Sequence, residues 1–341
     1  MFADNVPLAV YDQLIAAVRA HLPSVHRYYE LRRRLLGLDE IHHYDCYVPL
    51  VPELEQKHTW DEAIQEIVES LQPLGAAYCD QLEAGLRGRW CDRYPNVGKQ
   101  SGAFSSGTYD SDPYILMNFQ EDVIEHVFTL AHEAGHSMHT RLSADAQPFQ
   151  YAGYTIFVAE VASTFNEQLL TRHLLSKADS PKQRAAIISR EIDAIRATII
   201  RQTMFAEFER MSHGAVESGE PLTLEKIRSL YRELLTAYFG TGFSIDQELE
   251  LESLRIPHFY RAFYVYKYAT GLSASIALSK RVTEGGPEEL DAYLQFLRGG
   301  CSKWPLDLLR DAGVDLETPE PVGLALTRFG ELVEELEKLL G

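Results

Sequence analysis

No apolar run in the chain approaches the ~18–20 residues that cross a bilayer, which excludes a membrane-spanning helix and a membrane partner. The first twenty residues hold Asp4 and Asp12 and no basic cluster, so they do not read as a secretory signal. Cysteine is scarce. The four residues Cys46, Cys79, Cys91 and Cys301 form no C-x-x-C pair and read as reduced thiols of a cytoplasmic protein. Positive charge is short as well: 32 Lys and Arg stand against 50 Asp and Glu, a formal charge of −18. That balance excludes a nucleic-acid partner, which needs clustered basic residues, and mildly favours basic over acidic ligands. Internal repeats and low-complexity segments are also lacking. What remains is ordinary globular composition, 45% apolar and 24% charged, in a 341-residue chain large enough for one big core or two lobes.

Apolar periodicity predicts a mainly α protein with one small sheet. Helices are expected over Pro7–His21 and Pro23–Leu36, stopped by Gly37, with Arg32, Arg33 and Arg34 on a solvated face. Tyr44–Val51 reads as an extended connector. Thr59 and Glu62 form a capping box for a helix to about Leu71, and another helix follows Pro73. Residues 96–112, rich in Gly, Ser and Asp, read as turns around a short strand at Ala103-Phe104. Tyr114–Phe119 reads as a buried strand, and Asn118 with Glu121 as the capping start of the next helix. After a loop at 142–155, helices are expected over Ile156–Leu175, from Pro181 (capped by Ser180) to His213, and from Thr223 to Gly240. Ile245–Leu254 is acidic and reads as a solvated face. His258–Val282 is aromatic and should be buried. Helices starting at Pro287, Pro305 and Pro321 close the chain.

The chemistry lies in His132-Glu133-Ala134-Gly135-His136, an H-E-x-x-H pentad. On a helix, positions i and i+4 share one face, so the two imidazoles can grip one cation while Glu133 stands over the remaining coordination position. A catalytic zinc needs a third protein ligand. Glu160, 24 residues after His136 in the apolar stretch Phe157–Ala162, is the candidate; otherwise its charge would need a basic partner. His139 is the competing third ligand. However, three histidines at i, i+4 and i+7 spread over about 10 Å of helix and converge poorly, so it reads as a pocket residue. Gly135 predicts close approach of another backbone. Glu167, two turns beyond Glu160, is placed to orient a ligand histidine or to lie on the surface. In the aromatic stretch, Tyr260, Tyr264 and Tyr268 are spaced four apart behind His258. Buried phenols there would either donate to an oxyanion or simply fill a core stripe.

Two other readings follow from the same residues. The E-x-x-H pairs Glu40/His43, Glu55/His58 and Glu133/His136 match a di-metal carboxylate bundle, although the first two lie beside prolines. A zinc and peptide binder without turnover is the second.

The segments HEAGHSMH (132–139), YTIFVAEVASTFNE (154–167), SGAFSSGTYDSDPYILMNF (101–119) and PHFYRAFYVYKYATG (257–271) together resemble the oligoendopeptidase F family of zinc metallopeptidases, relatives of thimet oligopeptidase. The likeness reaches back to Asp4–Pro7 and Tyr44–Val51. It implies a zincin-type helical catalytic lobe with a small β-sheet beside the metal helix, and one zinc per chain on His132, His136 and Glu160. It implies Glu133 as general base, and His258, Tyr264 and Tyr268 as groups binding substrate and transition state. Short peptides are the implied substrates. Residues 1–341 would form a single catalytic region, the family's amino-terminal lobe lying outside this chain.

Overall fold

The computed structural model describes residues 1–51 and 57–341. Its first helix, α1 (Leu8–Leu35), continues unbroken through Pro23, where the sequence predicts two helices. A proline inside a helix costs about 3 kcal/mol. The buried stripe Val10, Leu14, Val18, Leu22, Val25, Tyr28 and Leu31 outweighs this, because each such side chain contributes about 1.5–3 kcal/mol. Arg32 does not lie on a solvated face. It is buried, and its guanidinium donates to the Tyr28 hydroxyl and to the carbonyls of Asp45 and Val48. The segment it holds is a 3-10 turn over His43–Tyr47 rather than an extended connector.

Local capping signals set several later starts. Thr59 and Glu62 form the expected box at the head of α2 (Trp60–Ser70). α3 spans Ala76–Arg87. Asn118 does not cap the next helix, α4 (Ile124–Ala146), which starts after Val123 without a side-chain cap. The Asn118 amide donates instead to the carbonyls of Gln100 and Gly102, tying down the preceding loop. α5 covers Ile156–Lys177. Ser180 caps α6 (Pro181–Ile195), which passes through a π-helical turn at Arg196–Ile200 into α7 (Arg201–Glu217). Thr223 caps α8 (Leu224–Phe239). The remainder is α9 (Tyr266–Glu284), α10 (Pro287–Arg298), α11 (Pro305–Asp311) and α12 (Glu320–Leu340).

α5 is the hub. Phe157, Val158, Val161, Ala162, Phe165, Leu169 and Leu170 are buried over more than half its circumference, and Ser163, Thr164 and Thr171 are buried on the remaining, polar side, so neighbouring elements enclose it. It packs between α4 and α9; α12 lies against α9, α6 and α1. The acidic Gln247–Arg255 segment is a 3-10 helix and is not a solvated face throughout. Glu250 and Glu252 are buried, the first paired with Arg228 and Arg232, the second with Arg201, Arg255 and the Tyr231 hydroxyl. Burying these carboxylates is tolerable only because each gains cationic partners.

The sheet has three short strands, β1 (Cys91–Asp92), β2 (Phe104–Ser106) and β3 (Tyr114–Leu116), in the order β1-β3-β2. β3 runs parallel to β1 and antiparallel to β2, with Ser105 opposite Ile115. The strand expected over Tyr114–Phe119 is thus half as long, though Met117 and Phe119 stay buried and donate to the carbonyls of Asp92 and Arg93. Ile115 gives its N–H to Trp90 on the β1 side. By the alternation of an antiparallel ladder, Ser105 therefore turns its own N–H and carbonyl away from β3, toward the outer edge.

Candidate metal centre

Three helices build the site, and glycine sets both of their crossings. A Cβ at Gly135 on α4 would stand 2.6 Å from both the Ala162 carbonyl oxygen and the Ser163 Cα on α5. One at Gly271 on α9 would stand 3.2 Å from the Cβ of Glu160. Bare α-carbons let the three backbones close in, and the Glu160 side chain is delivered between them.

The result is convergence. His132 and His136 lie one turn apart, ring centroids 4.9 Å from each other. Glu160 Oε2 is 3.4 Å from His132 Nε2 and 3.9 Å from His136 Nε2. All three ligand atoms fall within 4.8 Å of one another, and this is the one group of its kind among the described residues. A tetrahedral zinc with bonds of about 2.0–2.2 Å separates its ligands by about 3.3–3.6 Å. The His132–Glu160 pair stands at that spacing and the His136–Glu160 pair is slightly wider, so the group could hold a metal ion.

Glu167 orients the set. It accepts a 2.8 Å hydrogen bond from His132 Nδ1–H, which leaves Nε2 to face Glu160. Arg190 on α6 holds the other Glu167 oxygen at 3.1 Å and lies over the Phe128 ring. Burial works against charge on His132, but the Glu167 bond and the nearby carboxylates outweigh it and raise its pKa. Burial, with His132 beside it, pushes His136 down to about 3, keeping that imidazole neutral. Neutral imidazole is the form that ligates a metal.

Glu133 is buried beside the ligands. Burial raises its pKa, opposed by the adjacent His132 and by the Ser105 amide of β2. The hydroxyls of Ser105 and Ser137 are 2.8 Å apart and tie β2 to the metal helix. His139 does not join the ligand atoms. It is buried, stacked on Tyr154 with centroids 3.7 Å apart, and burial lowers its pKa to about 3.

The tyrosines do not share one helical face. α9 begins only at Tyr266, and Tyr260 sits in the 3-10 turn Pro257–Tyr260 with 82% of its surface exposed. Tyr264 lies in the intervening turn. The chain nevertheless folds back so that His258, Tyr264 and Tyr268 cluster. His258 Nε2 is 3.2 Å from the Tyr268 hydroxyl, and the two tyrosine rings are 5.6 Å apart. Burial and then Tyr264 push the Tyr268 phenol upward, and the Glu160 carboxylate adds to that push, which sets Tyr268 near the ligand set.

Among the described residues the other E-x-x-H pairs assemble no second centre. Glu40 bonds Ser244, and His43 packs against Tyr47 and Phe239. Glu55 lies outside the described residues. Arg190 and Ser105 gave no sequence signal, since each reaches the site from a separate element. Gly271, a helix-interior glycine amid aromatics, is the sequence signal that could have found the α9 contact.

Fold and site together define a mainly α-helical protein with a zincin-type constellation: an H-E-x-x-H helix, a glutamate from a second helix and a small sheet alongside. The chain belongs to peptidase family M3, whose family model matches residues 1–327. It is 47% identical to the oligopeptidase PepF of Bacillus subtilis over 99% of this chain and 50% of that protein. It is 42% identical to an oligoendopeptidase F homolog of Borreliella burgdorferi over 99% of this chain and 58% of that protein. Among solved structures, one from Chlamydophila abortus matches with a TM-score of 0.91 at 41% identity, covering 98% of this chain and 56% of that one. The oligoendopeptidase-F of Enterococcus faecium matches with a TM-score of 0.78 at 34% identity, covering 98% and 53%. The chain thus spans about half the length of the curated relatives it matches.

Proposed function

We propose that this chain is the catalytic part of a zinc-dependent endopeptidase that hydrolyses short oligopeptides. The observation that carries the reading is the convergence of His132, His136 and Glu160 beside the buried carboxylate of Glu133. In this reading the first three residues hold one zinc per chain. When bound, zinc polarises a scissile carbonyl and lowers the pKa of a water toward neutrality. Glu133 takes the proton of the attacking water and passes it to the leaving amine. His258, Tyr264 and Tyr268 donate to the oxyanion, and burial raises the pKa of the Tyr268 phenol, which keeps its proton in place. The free outer edge of β2, where Ser105 turns its carbonyl, aligns the substrate backbone by strand addition. A cytoplasmic location belongs to the same proposal, supported by four cysteines that stay unpaired in the fold.

The test is digestion of a mixed peptide library by the whole chain, with and without a chelator, read by mass spectrometry beside a metal assay. One zinc per chain and chelator-sensitive cleavage of short peptides are expected. Cleavage that persists in metal-free protein overturns the mechanism. Stoichiometric zinc with no cleavage points to a peptide binder without turnover.

A further inference from the structure

Phe263 has a φ of +57°, in the left-handed region that a bulky side chain rarely enters. It lies in the short turn between the Pro257–Tyr260 3-10 helix and the start of α9. The left-handed residue reverses the chain at the point where Tyr264 must return toward His258 and Tyr268. Such a conformation persists only where its surroundings over-determine it. Here the surroundings are specific. The Phe263 N–H donates to Glu209 Oε1 on α7 at 2.8 Å. The Phe263 ring is held edge-on by Tyr11, centroids 5.8 Å apart, and lies 4.8 Å from the His213 ring.

Glu209 is 98% buried, and its second oxygen, Oε2, has no hydrogen-bond partner. A buried carboxyl with one oxygen on a strained amide and the other unpartnered is costly, so a packing role alone accounts poorly for it. No part of the proposed chemistry uses this residue.

We infer that Glu209 is a positioning residue, whose Oε1 holds Phe263 in its left-handed conformation and thereby sets the His258–Tyr264–Tyr268 cluster. It touches neither the ligand set nor the tyrosines themselves; it acts through the backbone of the turn. The catalytic consequence rests on the peptidase reading above, whereas the effect on the turn does not.

The test therefore has two arms on the full chain. Hydrogen–deuterium exchange follows the peptide covering 257–265 in the parent, Glu209→Ala and Glu209→Gln. Ala removes the acceptor; Gln keeps an oxygen at the same place. Faster exchange confined to 257–265 in Glu209→Ala, restored by Gln, is expected. In the second arm Glu209→Ala lowers kcat by about 10–100-fold, as a misplacement of about 1 Å does, with KM and bound zinc unchanged. Added to the double variant Tyr264→Phe, Tyr268→Phe, it lowers kcat by less than it does in the parent, because only His258 is left to displace. Unchanged exchange at 257–265, exchange that rises across the whole chain, or a full further loss in the tyrosine-less background overturns the inference. A parent chain that cleaves nothing removes the peptidase reading and leaves the exchange arm to decide this one.

Discussion

Gly135 presents bare backbone to Ser163: a methyl group on Gly135 would stand 2.6 Å from the Ser163 Cα, closer than real atoms approach. The contact lies one turn from Glu160 on α5 and one residue from His136 on α4. The separation of α4 and α5 therefore bears directly on the separation of the proposed ligands.

Gly135→Ala tests that link. Alanine improves helix propensity by about 1 kcal/mol, but it forces two backbones apart at a cost of about 1–3 kcal/mol. The expected outcome is a lower Tm together with weaker zinc binding, because Glu160 moves off with α5. Titration with zinc and a melting curve read both. Unchanged zinc affinity would show that the ligand set tolerates the shift.

Glu133→Gln removes a base and keeps every proposed ligand. Zinc should remain stoichiometric while peptide hydrolysis falls by about 10²–10⁴-fold. His136→Ala should lose zinc and activity together. Metal analysis beside a turnover assay separates the two, and near-parental turnover in the Gln variant rules Glu133 out as the base.

Tyr264→Phe and Tyr268→Phe each remove one hydroxyl from the cluster around His258. If the phenols donate to the oxyanion, kcat drops by about 10²–10³-fold with KM nearly unchanged. A tyrosine that only fills the core would instead lose about 1 kcal/mol of stability and keep its kcat. Kinetics and Tm on both variants decide.

Glu209 also predicts a pH dependence of stability. Burial raises its pKa from 4.5 to about 7, opposed in part by the Phe263 amide. Between those values the folded chain holds a proton that the unfolded chain has released. Its contribution to stability therefore falls as pH rises from 4.5 to about 7 and is level above that. Glu209→Gln should flatten this part of the Tm-versus-pH curve and raise Tm at pH 8 relative to the parent. An unaltered curve would show that the carboxyl titrates elsewhere.

Short-range physics was legible in the sequence. The capping box at Thr59, the cap at Ser180 with Pro181, the pentad's shared helical face and the apolar stretch around Glu160 all depend on residues within a few positions of each other. Even the close approach at Gly135 could be read, because a glycine inside a helix needs a reason. What the sequence could not settle is whatever compares a local penalty with a distant reward. Pro23 breaks a helix by propensity, yet the buried stripe of α1 carries the helix through it. Asn118 offers a cap, and the Gln100 and Gly102 carbonyls claim its amide first. Glu250, Glu252 and Arg32 read as surface charges until remote partners make their burial tolerable. The tyrosine cluster is the sharpest case. Spacing of four suggested one helical face, but Tyr264 reaches His258 and Tyr268 through a left-handed Phe263 that Glu209, 54 residues earlier, holds in place. Local sequence determined which residues are candidates for chemistry; only the tertiary packing of α4, α5, α7 and α9 decided where they meet, because the energies that place them come from partners far away in the chain.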